Sequence, residues 1–206
     1  MTLIPTLEQI QASCPANFLA DALTILFEHS PTLISNLCPQ LTRILPTLPP
    51  LSSYSQLIDV SLNQLGTWDD EMKAQFIAGH PRIGESKNLS KLSAKEQGAT
   101  STTAATPPEV LARLAHLNAC YEKKYPGLIY ITFVNGRTRA AIAEEMEGKL
   151  GLEHSLSPDD PALADIEPVA VGGPGWTSEL DRAVVDIGLI AKSRLGALGV
   201  ELTIIQ

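Results

Sequence analysis

The chain has 206 residues and carries 23 acidic side chains against 15 Lys and Arg, a net charge of −8. No basic surface is on offer to a polyanion, so nucleic acid is excluded as an expected partner, and an acidic protein that handles a small molecule fits the balance. Apolar runs never reach the length of a membrane span, and Cys14, Cys38 and Cys120 are too few and too scattered for a disulfide framework. One domain over residues 1–206 is expected, with buried thiols, no membrane partner and a cytoplasmic location. The N-terminus has no secretory pattern, and Leu202-Thr203-Ile204-Ile205-Gln206 is not a peroxisomal address, although a peroxisomal location stays open.

In chain order, Thr6-Leu7-Glu8-Gln9 has the spacing of a capping box and predicts a short helix. Residues 17–29 place Phe18, Ala22, Ile25 and Leu26 on one helical face, and Glu28-His29-Ser30-Pro31 breaks that helix and starts another through Leu37. Pro46, Pro49 and Pro50 make residues 39–53 a loop or short helical turns at the surface. Leu57, Val60, Leu62 and Leu65 form the next stripe, followed by a helix over 69–78. Thr100 to Pro108 reads as a mobile loop. Thr106-Pro107-Pro108-Glu109 then supplies a cap, a first-turn proline and an acid for a helix to about Lys124. Residues 128–134 are the only strand-like run, and with no second strand to pair they read as a buried extended segment. Residues 138–150 are helical, and 157–175 are irregular. The last helix is expected from Ser178 to about Leu198, with a stripe of Leu180, Val184, Ile187, Ala191 and Leu198. The sum is an all-α, single-domain bundle of roughly eight to ten short helices.

Chemistry concentrates around Gly79-His80-Pro81-Arg82-Ile83-Gly84-Glu85 and Ser93-Ala94-Lys95-Glu96-Gln97. A histidine before proline is held out of the helical region, and imidazole beside a carboxylate suits proton transfer near neutral pH. The bland alternatives are a histidine bonded to a carbonyl at a helix end and a capping box made of Ser93 and Glu96. His80, His116, His154 and Glu85 have none of the short spacings of a zinc site, so no metal is expected. Arg137 follows the turn dipeptide Asn135-Gly136 and reads either as solvated or as a carboxylate-gripping fork. Arg194 stands in an apolar stripe, where it must snorkel out or meet a ligand carboxylate or an acid such as Glu96. Phosphate-loop and nucleophile-elbow motifs are missing.

Taken together and in order, Glu28-His29-Ser30-Pro31, Gly79 through Gly84, Ser93-x-x-Glu96-Gln97, the apolar run ending in Asn135-Gly136-Arg137-Thr138, and Ile190-Ala191-Lys192-Ser193-Arg194-Leu195 resemble the 2-oxo-4-hydroxy-4-carboxy-5-ureidoimidazoline decarboxylases. The likeness spans about Phe18 to Leu198. It implies an all-helical homodimer that forms (S)-allantoin in urate breakdown without a cofactor. By the same resemblance His80 and Glu96 are the catalytic pair, and Pro81, Ser93 and Gln97 contact the substrate. The backbone of Tyr130, Ile131, Thr132, Phe133 and Val134 meets the substrate's ring and ureido groups, with Arg194 also assigned to the pocket. Two other readings are a cofactor-free enzyme acting on a related ureido or imidazoline compound, and a helical binding module in which His80 and Glu96 are only caps.

Overall fold

Helix starts in this chain are set by capping chemistry. The structure, a computed structural model, describes residues 4–12, 16–85, 89–96, 106–155 and 157–200. Among them are nine α-helices: α1 (Leu7–Gln11), α2 (Ala16–Phe27), α3 (Cys38–Ile44), α4 (Tyr54–Gly66), α5 (Asp70–Ile77), α6 (Lys91–Glu96), α7 (Pro108–Lys124), α8 (Arg139–Leu150) and α9 (Pro174–Leu198). A π-helical turn covers Leu33–Leu37, and 3₁₀ turns cover Leu45–Thr47 and Leu163–Asp165. No strand occurs among the described residues, so the fold is all-α. Thr6, Ser53, Asp69 and Thr138 each accept a backbone N–H three residues on, opening α1, α4, α5 and α8.

Several boundaries differ from expectation for identifiable reasons. Residues 38–44 form a regular helix because Pro39 enters at its first turn, where no amide donor is needed. α4 buries Leu57, Ile58, Ser61 and Leu65, while Val60 and Leu62 are only half-buried. Pro107, not Thr106, precedes α7, and it offers no side-chain cap. α9 starts at Pro174, four residues before Ser178, because proline fits the first helical position. Its buried stripe is Leu180, Ala183, Ile187, Ala191 and Leu195, with Val184 and Leu198 half-buried. Of the loop expected over 100–108, residues 100–105 lie outside the described residues, as does Cys14. Cys38 and Cys120 are buried free thiols.

Contacts cluster into two units, residues 1–80 with 184–206, and residues 81–183. In the first unit α2, α3 and α4 bury Leu19, Leu23, Leu26, Leu37, Leu41, Leu57 and Leu65. An edge-to-face series links Trp68, Phe76 and Phe27, with Phe76 centred 5.9 Å from Trp68 and 6.0 Å from Phe27. Gly188 of α9 packs so closely on α4 that a methyl there would lie 2.8 Å from Leu62 Cδ1.

In the second unit α7 packs on α8, and the buried Arg113–Glu147 ion pair (2.7 Å) joins them. Arg113 also donates to Ser157 O and Asp160 O, which ties the irregular 157–175 stretch to α7. Among the described residues no helix is long and apolar enough to cross a membrane.

Candidate active site

In the first unit the site begins where α5 ends. Ala78 is the C-cap, and the backbone N–H of His80 donates to Ile77 O at 2.9 Å. Gly79 is obligatory, because a Cβ there would lie 2.3 Å from Ser30 Cβ. Ser30 is itself buried and fixed, its Oγ accepting from Leu33 N at 3.0 Å. Gly79→Ala is therefore expected to cost about 1–3 kcal/mol from overpacking and to shift His80. Urea unfolding would show the first effect, and lost activity at a native far-UV spectrum the second.

His80 is only 7 % exposed, and its ring meets Phe76 edge to face at 5.8 Å. Its Nδ1 lies 3.2 Å from Ile77 O. A carbonyl only accepts, so Nδ1 carries the proton and Nε2 keeps the lone pair. That Nε2 is buried with no hydrogen-bond partner, an acceptor held ready. Burial first, and then the positive charge of Arg194, push the His80 pKa down to about 4, so the ring is neutral at working pH.

The stability consequence has a definite sign. The unfolded histidine takes a proton below about pH 6.5 and the folded one only below about 4, so the unfolded state gains as pH falls through that window. His80 alone should remove about 3 kcal/mol of stability between those values. Urea denaturation of wild type and His80→Asn at a series of pH values should show the difference.

Arg194 is 2 % exposed, and an acid meets it inside the protein, Glu28. Its Nη2 lies 2.6 Å from Glu28 Oε1, and Nη1 donates to the carbonyls of Ile25 (3.0 Å) and Leu26 (3.3 Å) at the end of α2. Glu28 ends α2 in the left-handed region, φ 66°, where glycine is usual. The ion pair accounts for an acid in that costly conformation.

In the second unit, α6 carries the Ser93–Glu96 motif. The capping-box reading of these residues falls, because Ser90 is the cap: its Oγ accepts from Ser93 N at 3.1 Å. Ser93 is buried inside the helix, and half-buried Glu96 follows one turn later on the same side. Gln97 lies outside the described residues. Pro81 is half-buried, and the loop after it is pinned to α7. Asn118 Nδ2 donates to Ile83 O at 2.9 Å, and Arg82 grips Glu122 with both Nε and Nη2.

Residues 128–134 are neither helix nor strand and pair with no strand, with Tyr130, Ile131 and Thr132 buried and Phe133 and Val134 half-buried. Side chains take the place of a neighbouring strand. Arg182 donates to Ile131 O at 2.7 Å, and Arg137 folds back onto Val134 O (3.0 Å), Phe133 O, Thr132 Oγ1 (3.0 Å) and the Glu145 carboxylate. Arg137 is thus a clamp on the segment. Glu145 also accepts from Tyr130 (2.7 Å) and Thr132 (3.1 Å), while Glu179 joins Tyr121 (3.0 Å) to Arg182 (2.8 Å). Among the described residues no acceptor meets the backbone N–H groups of 130–134.

Sequence reasoning missed Glu28, Asn118, Glu145 and Glu179 as supporting residues. Only Glu28, inside a noticed motif, carried a local signal. No group of three or more His, Cys, Asp or Glu able to hold a metal occurs among the described residues. His116 Nε2 instead bonds Pro161 O at 2.8 Å, and His154 bonds Glu147 at 2.7 Å.

Comparison with protein families matches residues 12–156 to OHCU decarboxylase, while comparison with curated proteins finds no match. The matched region contains the His80 loop, α6, the 128–134 segment and α8. Covering more than half of the sequence and all but the α9 portion of the motifs, it makes the chain a member of the OHCU decarboxylase family, a family of decarboxylases of urate catabolism.

Proposed function

We propose that the protein decarboxylates 2-oxo-4-hydroxy-4-carboxy-5-ureidoimidazoline to (S)-allantoin without a cofactor, acting as a homodimer in the cytoplasm. The observation that carries this reading is the orphaned lone pair of His80: a neutral, buried imidazole whose Nδ1 is committed to Ile77 and whose Nε2 is not committed at all. Such a group begins by accepting a proton, which refines the simpler picture of a histidine that only delivers one.

The chemistry then balances. The carbon–carboxylate bond breaks, CO₂ leaves, and its electron pair forms a double bond to the ureido-bearing carbon. The ring imine takes the displaced pair and one proton from solvent. Nε2 of His80 accepts the hydroxyl proton of the resulting enol and returns it to the ureido-bearing carbon on one face, leaving a ring carbonyl and a single stereocentre. Glu96 supplies a negative charge beside the substrate's carboxylate or hydroxyl, which favours loss of neutral CO₂. Backbone N–H groups of Tyr130 to Val134 receive the planar ring and ureido oxygens, and Pro81, Ser93 and Gln97 complete the contacts. Preorganised donors of this kind contribute several kcal/mol in a dry site. Arg194 acts through His80, by charge and by holding the end of α2.

The test generates the substrate in situ from urate with urate oxidase and hydroxyisourate hydrolase and follows allantoin by circular dichroism. Fast appearance of one enantiomer supports the reading. Slow racemic allantoin at the spontaneous rate sinks it, and a panel of other ureido and imidazoline acids would then be tried.

A further inference from the structure

Arg139 is the first residue of α8, directly after the Thr138 cap. A cation at this end is opposed by the helix dipole, and the first turn contains no acid to offset it. Nη1 donates to Thr106 Oγ1 at 3.2 Å. Nε and Nη2 are wholly withdrawn from solvent, and neither has a hydrogen-bond partner. The other arginines of this unit show the contrast, since Arg82, Arg113, Arg137 and Arg182 each face a carboxylate.

Arg139 as a whole is half-buried, but a guanidinium cannot shed its charge, and closing Nε and Nη2 off from water without a partner is costly. Burial already pulls its pKa below the usual arginine value. Nε and Nη2 form one edge of the planar group, and that edge matches the two oxygens of a carboxylate. Arg139 also begins five residues after Val134, the end of the segment whose backbone N–H groups lack acceptors.

We propose that Arg139 is an anion-recognition residue, taking a carboxylate of the small-molecule ligand through Nε and Nη2. The inference rests on the decarboxylase reading in one respect, that the acid it receives is the substrate's. It adds a selectivity determinant for the acid over its neutral counterparts.

Calorimetric titration with hydantoin-5-acetate, the equal-sized neutral hydantoin-5-acetamide, and sodium sulfate tests the assignment in wild type, R139Q and R139K. Wild type should bind the acid at least about tenfold more tightly than the amide or sulfate, as a charge-assisted pair predicts. R139Q should lose the preference and R139K keep part of it. Without ligand, R139Q should melt no lower than wild type, since the substitution removes an uncompensated charge. Equal or absent binding of acid and amide by wild type, sulfate binding as tightly as the acid, or a preference that survives in R139Q would each overturn the proposal. So would a lower melting temperature in R139Q that R139K restores, which would mark a structural cation. The coupled assay separates the two readings: acid binding through Arg139 without turnover removes only the decarboxylase, and turnover without acid preference removes only this site.

Discussion

His80→Asn should reduce decarboxylation by about 10²- to 10⁴-fold, the range that a positioned general acid–base contributes, and what allantoin remains should be racemic. Asparagine can still reach the Ile77 carbonyl through its amide, so the turn after α5 should survive and the far-UV spectrum should be native. What it lacks is a nitrogen that takes and returns a proton. The pH profile sharpens the test. Nε2 works in its unprotonated form, so the His80-dependent limb of the rate should hold as pH falls through 6.5 and drop only near the depressed value of about 4. A limb at 6.5 would mean that the imidazole titrates in water and that its burial has no catalytic meaning. Unchanged, stereospecific turnover in the variant would dismiss His80 altogether.

The second large effect is on stability. Arg194→Met removes a guanidinium that meets Glu28 at 2.6 Å and two carbonyls at the end of α2. Breaking one side of a buried pair costs about 3–5 kcal/mol, because the remaining charge has lost its partner. Glu28 would then hold a left-handed backbone without the contact that compensates for it. The double variant Glu28→Gln, Arg194→Met should recover part of the loss, and the recovery in urea denaturation measures the coupling. The single variant should also raise the His80 pKa, since the positive neighbour has gone and the negative one remains. A loss below about 1 kcal/mol would place the pair with ordinary surface salt bridges and contradict its burial.

Much of the fold was legible because short-range chemistry decides it. Thr6 announced its helix through capping-box spacing, and the apolar 128–134 run betrayed itself by having no strand to pair with. Pro39 and Pro174 misled because a proline reads as a breaker from sequence but is welcome in a first turn. Thr106 had every attribute of a cap, yet its hydroxyl serves Arg139, 33 residues on.

The site was legible in its reacting groups and less so in their support. His80, Ser93 and Glu96 lie in short motifs, whereas Glu145, Glu179 and Asn118 also reach Thr132, Tyr121 and Ile83, which lie 13, 58 and 35 positions away. Arg194 was recognisable as anomalous from its stripe. Its partner was not, since Glu28 lies 166 residues earlier and no local pattern pairs them.

The unpaired segment has a consequence for how these stabilities are measured. Leu128-Ile129-Tyr130-Ile131-Thr132-Phe133-Val134 is uncharged and β-prone, with no proline, the composition that stacks into intermolecular sheets when exposed. In the native state arginine side chains occupy the carbonyls of Ile131, Phe133 and Val134, and Leu128 to Thr132 are buried. Heating past the transition removes both protections at once. Thermal unfolding should therefore end in aggregation and report a scan-rate-dependent lifetime, whereas dilute protein in urea, which solvates the exposed run, gives access to the equilibrium.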